Sequence, residues 1–88
     1  MQTASKLREF VTKNFYIPPG TALDETTSFL ERGIIDSTGV LELVSFLETT
    51  FGIEVADEDM LPENLDSIRA ITGYVSRKLS ERRIELVA

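Results

Sequence analysis

Ser37, in the run Gly33-Ile34-Ile35-Asp36-Ser37, is the side chain in this sequence whose setting most invites chemistry. A serine becomes a nucleophile when a neighbouring base takes its proton. This chain has no histidine and no cysteine, so Ser–His and Cys–His catalysis are excluded. A Ser–Lys pair would have to use Lys6, Lys13 or Lys78, none of them near Ser37 in sequence. Zinc would find only carboxylates, which suit it poorly. Asp57-Glu58-Asp59 lacks the glycine and the spaced oxygen ligands of a calcium loop. No P-loop and no Rossmann glycine pattern is present. A serine with no base and no metal is a poor catalyst, but it can serve as a point of attachment. The bland alternative is that serine is simply common at helix starts.

The elements that would position Ser37 follow from the apolar spacing. Val40, Leu43, Val44, Leu47 and Phe51 recur with helical period and form one stripe. The spacing predicts a helix over Val40–Phe51, with Asp36 as N-cap, Ser37 as the first helical residue and Gly52 as the stop. At about 100° per residue, Ser37 falls at the margin of the stripe and Leu41 lies beside it. Ser45 and Glu48 continue that edge, and Glu42 faces solvent. An apolar residue rimmed by charge is the usual make-up of a docking surface. Free N–H groups and the helix dipole would favour an anion on or near Ser37.

Around that helix the sequence predicts an all-α fold. Leu7, Phe10, Val11 and Phe15 have helical spacing, with Thr3 as a candidate N-cap. Pro18-Pro19-Gly20 opens a long loop from Tyr16 to Ile35. A helical turn near Thr27–Glu31 could use Phe29 and Leu30 as core plugs. Ile53, Val55, Met60 and Leu61 anchor the acidic turn Asp57-Glu58-Asp59, and Pro62 breaks the chain. Asp66-Ser67 would cap a last helix with Ile68, Ile71, Thr72, Val75 and Leu79 on one side. No stretch alternates long enough to make a sheet. The expected architecture is a small four-helix bundle, three longer helices and one short, with a long loop between the first two. Residues 81–88 form a charged tail expected to fray.

Eighty-eight residues fit one domain, 1–88, with a small core. The net charge is −6, and residues 36–66 hold nine acids and no base, while residues 67–88 hold five bases and two acids. That block argues against nucleic acid and favours a basic protein partner, or else is a plain solubility face. No apolar run reaches the ~18 residues of a membrane span, and no signal-peptide core stands at the N-terminus. Together with the lack of cysteine, this points to the cytoplasm.

The stretch Gly33-Ile34-Ile35-Asp36-Ser37, continued by Val40-Leu41-Glu42-Leu43-Val44 and Leu47-Glu48, resembles the signature of the acyl carrier protein family. The similarity runs on through Phe51-Gly52-Ile53-Glu54-Val55 and Asp57-Glu58-Asp59 to Ile68, Ile71 and Val75, covering the chain from about Phe29 to Leu79. The resemblance implies a four-helix bundle carrying 4′-phosphopantetheine on Ser37 and acyl groups as thioesters on that arm. It implies a phosphopantetheinyl transferase that uses coenzyme A and Mg²⁺, with Asp36 supporting the modification. No catalytic residue and no metal of the chain's own are expected. The implied partner surface comprises Thr38, Leu41, Glu42, Ser45, Glu48, Glu54, Asp57, Glu58 and Asp59. The implied partners are acyl- or aminoacyl-activating ligases, ketosynthases or acyltransferases with basic docking surfaces, approached by a monomer.

Two residues depart from the fatty-acid type: Thr38 stands in place of the usual leucine, and Gly39 in place of the usual aspartate. Asp-Ser-x-Gly-x-x-Glu-Leu instead resembles D-alanyl and other stand-alone aminoacyl or peptidyl carriers. The expected function is therefore a carrier for fatty acid, polyketide or related lipid synthesis, with an aminoacyl carrier as the alternative. Outside the carrier class, the alternative is an unmodified acidic protein-interaction module.

Overall fold

Apolar residues spaced for one-sided burial produce helices here, and the computed structural model describes residues 2–87, with side chains from Thr3 to Glu81. The elements are α1 (Gln2–Asn14), α2 (Gly39–Phe51), a single 3-10 turn at Asp57–Asp59, α3 (Pro62–Leu65) and α4 (Ile68–Val87). Three longer helices and one short one make the expected bundle, and no strand occurs among the described residues. The helical backbone of α4 continues to Val87. Side chains beyond Glu81, and with them the expected frayed tail, lie outside the described residues.

Leu7 and Val11 of α1, Leu43 and Leu47 of α2, and Ile68, Ile71 and Val75 of α4 are fully buried. Their spacing in sequence is the spacing of one helix face, so these stripes meet in a single core. α4 packs on α1 and on α3. The bridge from α1 to α2 includes aromatic rings. Phe10 stacks on Phe46 at 4.1 Å, Phe15 meets Phe10 edge-on at 5.8 Å, and Phe51 meets Phe46 edge-on at 6.1 Å. Such offset and edge contacts suit the ring quadrupoles.

Phe29 is buried as expected, and a single helical turn holds it. Arg32 N–H donates to the Ser28 carbonyl, Gly33 N–H to Leu30 and Ile34 N–H to Phe29. The last two bonds, with Gly33 at φ 67°, close the turn as a Schellman motif. The turn is too short to register as a helix. It turns Leu30 outward, so the expectation that Leu30 plugs the core fails. Phe29 is the one side chain of the pair that the turn aims inward.

Three further expectations change. Thr3 sits inside α1, which already begins at Gln2, so it is not an N-cap. Pro62 does not break the chain but starts α3, where its missing N–H costs nothing. The Asp66-Ser67 cap is made by Ser67 alone: its Oγ accepts Ala70 N–H at 3.0 Å, and its carbonyl accepts Ile71 N–H at 3.0 Å. Asp66 points elsewhere. Tyr74, absent from the predicted stripe, is also core, with only 3% of its surface exposed. The Asp59 carboxylate accepts its hydroxyl proton at 2.8 Å and so makes burial of the phenol tolerable.

Candidate functional site

Asp36 builds the site. Its carbonyl accepts Val40 N–H at 3.0 Å, the first bond of α2, and its Oδ1 accepts Gly39 N–H at 2.7 Å. Both bonds are those of an N-cap residue, so Asp36 caps α2 and Ser37 is the first residue of its opening turn, as the spacing predicts. Thr38 continues the turn with helical backbone, and its carbonyl accepts Leu41 N–H at 3.1 Å. Ser37 is exposed, and no hydrogen bond engages its hydroxyl. The N–H groups of Ser37 and Thr38 have no partner within the protein, which leaves the positive end of α2 open toward whatever stands on Ser37.

Gly39 is what allows the chain to approach so closely here. A Cβ at this position would stand 2.8 Å from Phe15 Cε1 and 3.1 Å from Ile35 Cγ2. The glycine therefore lets the Phe15 ring pack directly on the first turn of α2. Its lower helix propensity, about 1 kcal/mol against alanine, is accepted for that contact.

Beside Ser37 lies an open cavity of about 290 Å³. Phe29, Ile35, Val40, Met60, Leu61 and Leu65 line it together with Ser37 and the carboxylate-bearing Asp66. Leu30, 46% exposed, and Leu61, 43% exposed, flank the cavity. Leu41 is 61% exposed on α2, as the helical wheel predicts. Neither Leu30 nor Leu61 was among the predicted surface residues. Both resemble core anchors in sequence, and only the outward turn of their backbones distinguishes them.

The acidic surface is thinner than the sequence implies. Glu48 Oε2 accepts Val55 N–H at 3.0 Å, which ties the Ile53–Val55 segment to α2. Asp59 holds Tyr74 and lies 4.0 Å from Lys78 Nζ. Asp66 is half-buried and hydrogen-bonded to the turn at Ser28–Leu30. These three carboxylates have structural duties. Glu42, Glu54, Asp57 and Glu58 are exposed, and Glu63, outside the implied partner surface, joins them. Glu42 and Ser45 sit with Phe10 and Phe46 along a shallow groove on the α1 side of α2, turned away from the cavity. Leu41 and Glu48 are thus the predicted edge residues nearest in helical register to Ser37.

The Tyr74 hydroxyl is held protonated to well above the ordinary phenol range, first by burial and then by its bond to the Asp59 carboxylate. It is a structural group and is not among the residues lining the cavity beside Ser37. Among the described residues, no set of three or more acidic side chains is placed to hold a metal ion. No helix among them is long and apolar enough to cross a membrane.

The family model described as "Phosphopantetheine attachment site" matches residues 5–75. An acyl carrier protein of Buchnera aphidicola is 30% identical over 73 residues, covering 83% of this chain and 89% of that protein. One from Zymomonas mobilis is 27% identical over 83% of this chain and 90% of its own length. A probable acyl carrier protein, PigG, of a Serratia strain is 26% identical over 83% of this chain and 84% of its own.

Proposed function

The chain belongs to the acyl carrier protein family, and from that premise we propose that Ser37 is the residue carrying the 4′-phosphopantetheine that defines the family. The protein is a carrier and not an enzyme, and its cofactor is covalently attached. It works with a phosphopantetheinyl transferase and with biosynthetic enzymes that use the loaded arm. When bound, the group supplies the thiol on which acyl units ride as thioesters. That accounts for a cysteine-free chain whose one well-placed serine has no base.

The observation that carries the assignment to Ser37 is its free, exposed hydroxyl at the capped start of α2, beside an apolar cavity. The residues suit the group. Ser37 Oγ is open to modification, and the unpaired N–H groups of Ser37 and Thr38 favour the negative charge of a phosphodiester. Asp36 keeps that turn in shape. Exposed Leu41, Glu42, Glu54, Asp57 and Glu58 would meet apolar and basic groups on partner enzymes. On this reading the protein acts in a reducing cytoplasm.

The cargo we infer is an acyl group of fatty acid, polyketide or related lipid synthesis. Two observations favour it over an aminoacyl group. Most of the side chains lining the cavity beside Ser37 are apolar, and both oxygens of its one carboxylate, Asp66, are already engaged by Ser28 Oγ and Leu30 N–H, so an ammonium group there would lose hydration without gaining a free partner. Gly39, the residue most like the aminoacyl carriers, has a packing reason of its own in Phe15.

The test is intact-mass measurement after incubation with coenzyme A, Mg²⁺ and a phosphopantetheinyl transferase. The wild type should gain the mass of one phosphopantetheine, and Ser37→Ala none. An equal gain in both proteins would move the site elsewhere. No gain in either would favour the alternative, an unmodified acidic interaction module.

A further inference from the structure

The cavity beside Ser37 has walls from distant parts of the chain, and one side chain joins them. Phe29 and Leu30 belong to the turn before α2, whereas Leu61 and Leu65 belong to α3 and its approach. Asp66, the residue just after α3, bonds to the turn three times. Ser28 Oγ donates to its Oδ2, Leu30 N–H to its Oδ1 at 2.9 Å, and Phe29 N–H to its carbonyl at 2.9 Å. Ser28 Oγ in turn accepts Glu31 N–H at 3.1 Å, so the same hydroxyl caps the turn and grips Asp66. One residue pair further out, Arg69 N–H donates to the Glu25 carbonyl at 2.8 Å and continues the seam.

Nothing in the local needs of α4 explains this aspartate, because Ser67 already caps that helix. Nor does α3 hold itself in place: a four-residue helix has almost no stability of its own. Its position against the Ser28–Leu30 turn depends on its packing against α4 and on Asp66.

We propose that Asp66 is a latch between the two walls, a positioning residue that holds Leu30 at the edge of the cavity and so sets the width of the opening next to Ser37. Its functional meaning rests on the carrier reading of Ser37, but its geometry does not. The latch is made of two side-chain bonds at a half-buried position, over a turn whose Phe29 stays anchored in the core. Releasing it frees Leu30 and the edge of the cavity while leaving Phe29, α1 and α2 in place. A wider opening admits larger apolar groups.

The test uses the full chain as wild type, Ser28→Ala and Asp66→Ala. Amide hydrogen exchange is followed by NMR at Leu30 and Glu31, with Leu43 and Leu47 as internal references. The neutral fluorophore N-phenyl-1-naphthylamine reports access to the cavity, and phosphopantetheine mass gain is measured in parallel. In Asp66→Ala the Leu30 amide should exchange about tenfold faster, the loss of one charge-assisted bond. Leu43 and Leu47 should not change. Asp66 itself lines the cavity and Ser28 does not, so Ser28→Ala is the variant in which fluorophore affinity reports the latch: it should rise there, and further in Asp66→Ala, where a charge is removed from the lining as well, with mass gain intact in both. Wild-type exchange at Leu30 in Asp66→Ala, or unchanged fluorophore binding in Ser28→Ala, would overturn the latch. So would acceleration at Leu43 and Leu47 equal to that at Leu30, since that reports general loosening. Failure of the wild type to gain mass would overturn the carrier reading while the exchange and fluorophore results still decided the latch.

Discussion

The dipeptide Asp-Ser begins two helices in this chain, and the two copies divide their work in opposite ways. At Asp36-Ser37 the aspartate caps α2 through Gly39 N–H, and the serine hydroxyl is left free at the surface. At Asp66-Ser67 the serine caps α4 through Ala70 N–H, and the aspartate reaches back to Ser28 and Leu30. Aspartate and serine are equally good caps, so local propensity does not choose between them. The neighbours choose. A turn with N–H and O–H donors stands within reach of Asp66 and draws it away from its helix. Asp36 has no such rival partner, and its capping keeps the hydroxyl of Ser37 out of the helix's own hydrogen bonding. One arrangement leaves a hydroxyl free at the surface and the other builds a seam.

The sharpest way to break the comparison is to exchange the serines' fates. Ser37→Ala should abolish phosphopantetheine addition outright, whereas Ser67→Ala should leave the mass gain of the wild type, both read by intact mass. Loss of modification in Ser67→Ala without unfolding would mean that the second Asp-Ser also serves the site.

Next in size is the glycine two residues past the first serine. Gly39→Val should drive a side chain into Phe15 and Ile35 and cost ~1–3 kcal/mol in urea denaturation. Gly73 lies inside α4, past its first turn, where an added Cβ would find nothing nearer than Arg77 Nη1 at 3.7 Å. Gly73→Ala should therefore stabilise the protein by ~0.4–1 kcal/mol. If Gly39→Val were neutral, the Phe15 contact would not be the reason for glycine there.

The two caps themselves should be similar in stability and unlike in function. Asp36→Ala and Ser67→Ala should each cost about 1 kcal/mol by urea denaturation. Only Asp36→Ala should also slow modification, measured as the initial rate of mass gain. Equal rates for the two variants would reduce Asp36 to a cap.

A last effect, of similar size, concerns a further aspartate, Asp59, which holds Tyr74. Tyr74→Phe should cost ~0.5–1.5 kcal/mol at neutral pH, the net value of one hydrogen bond. The folded protein holds this phenol protonated above its ordinary range, so the unfolded chain loses the proton first as pH rises. The resulting stability is fully present below about pH 10 and falls as pH climbs above it. Alkaline melting curves should therefore decline more steeply for the wild type than for Tyr74→Phe. Parallel curves would show that the Asp59 bond and the burial of Tyr74 do not shift its titration.

Much of the fold was legible because burial repeats with helical period. Leu7, Val11, Leu43, Leu47, Ile68, Ile71 and Val75 are apolar at the right spacing, and each is buried. Ser37 stood out because histidine and cysteine are absent from the whole chain and no lysine lies near it in sequence. Leu30 and Leu61 were not legible as surface: a leucine in a loop faces in or out according to one backbone turn, and no periodicity records that turn. Glu48, Asp59 and Asp66 resembled their exposed neighbours, because a carboxylate's partners 7 to 38 residues away leave no local trace.

By itself, then, the sequence determined the three longer helices, the stripes that join them and a serine without a catalytic companion at the start of α2, since spacing, caps and missing residue types are local properties. The tertiary structure alone decided which acids are free to meet a partner, which aspartate caps and which one latches, and that a glycine beside the site answers to Phe15. Those choices depend on distances between residues far apart in the chain, which exist only once the core has closed.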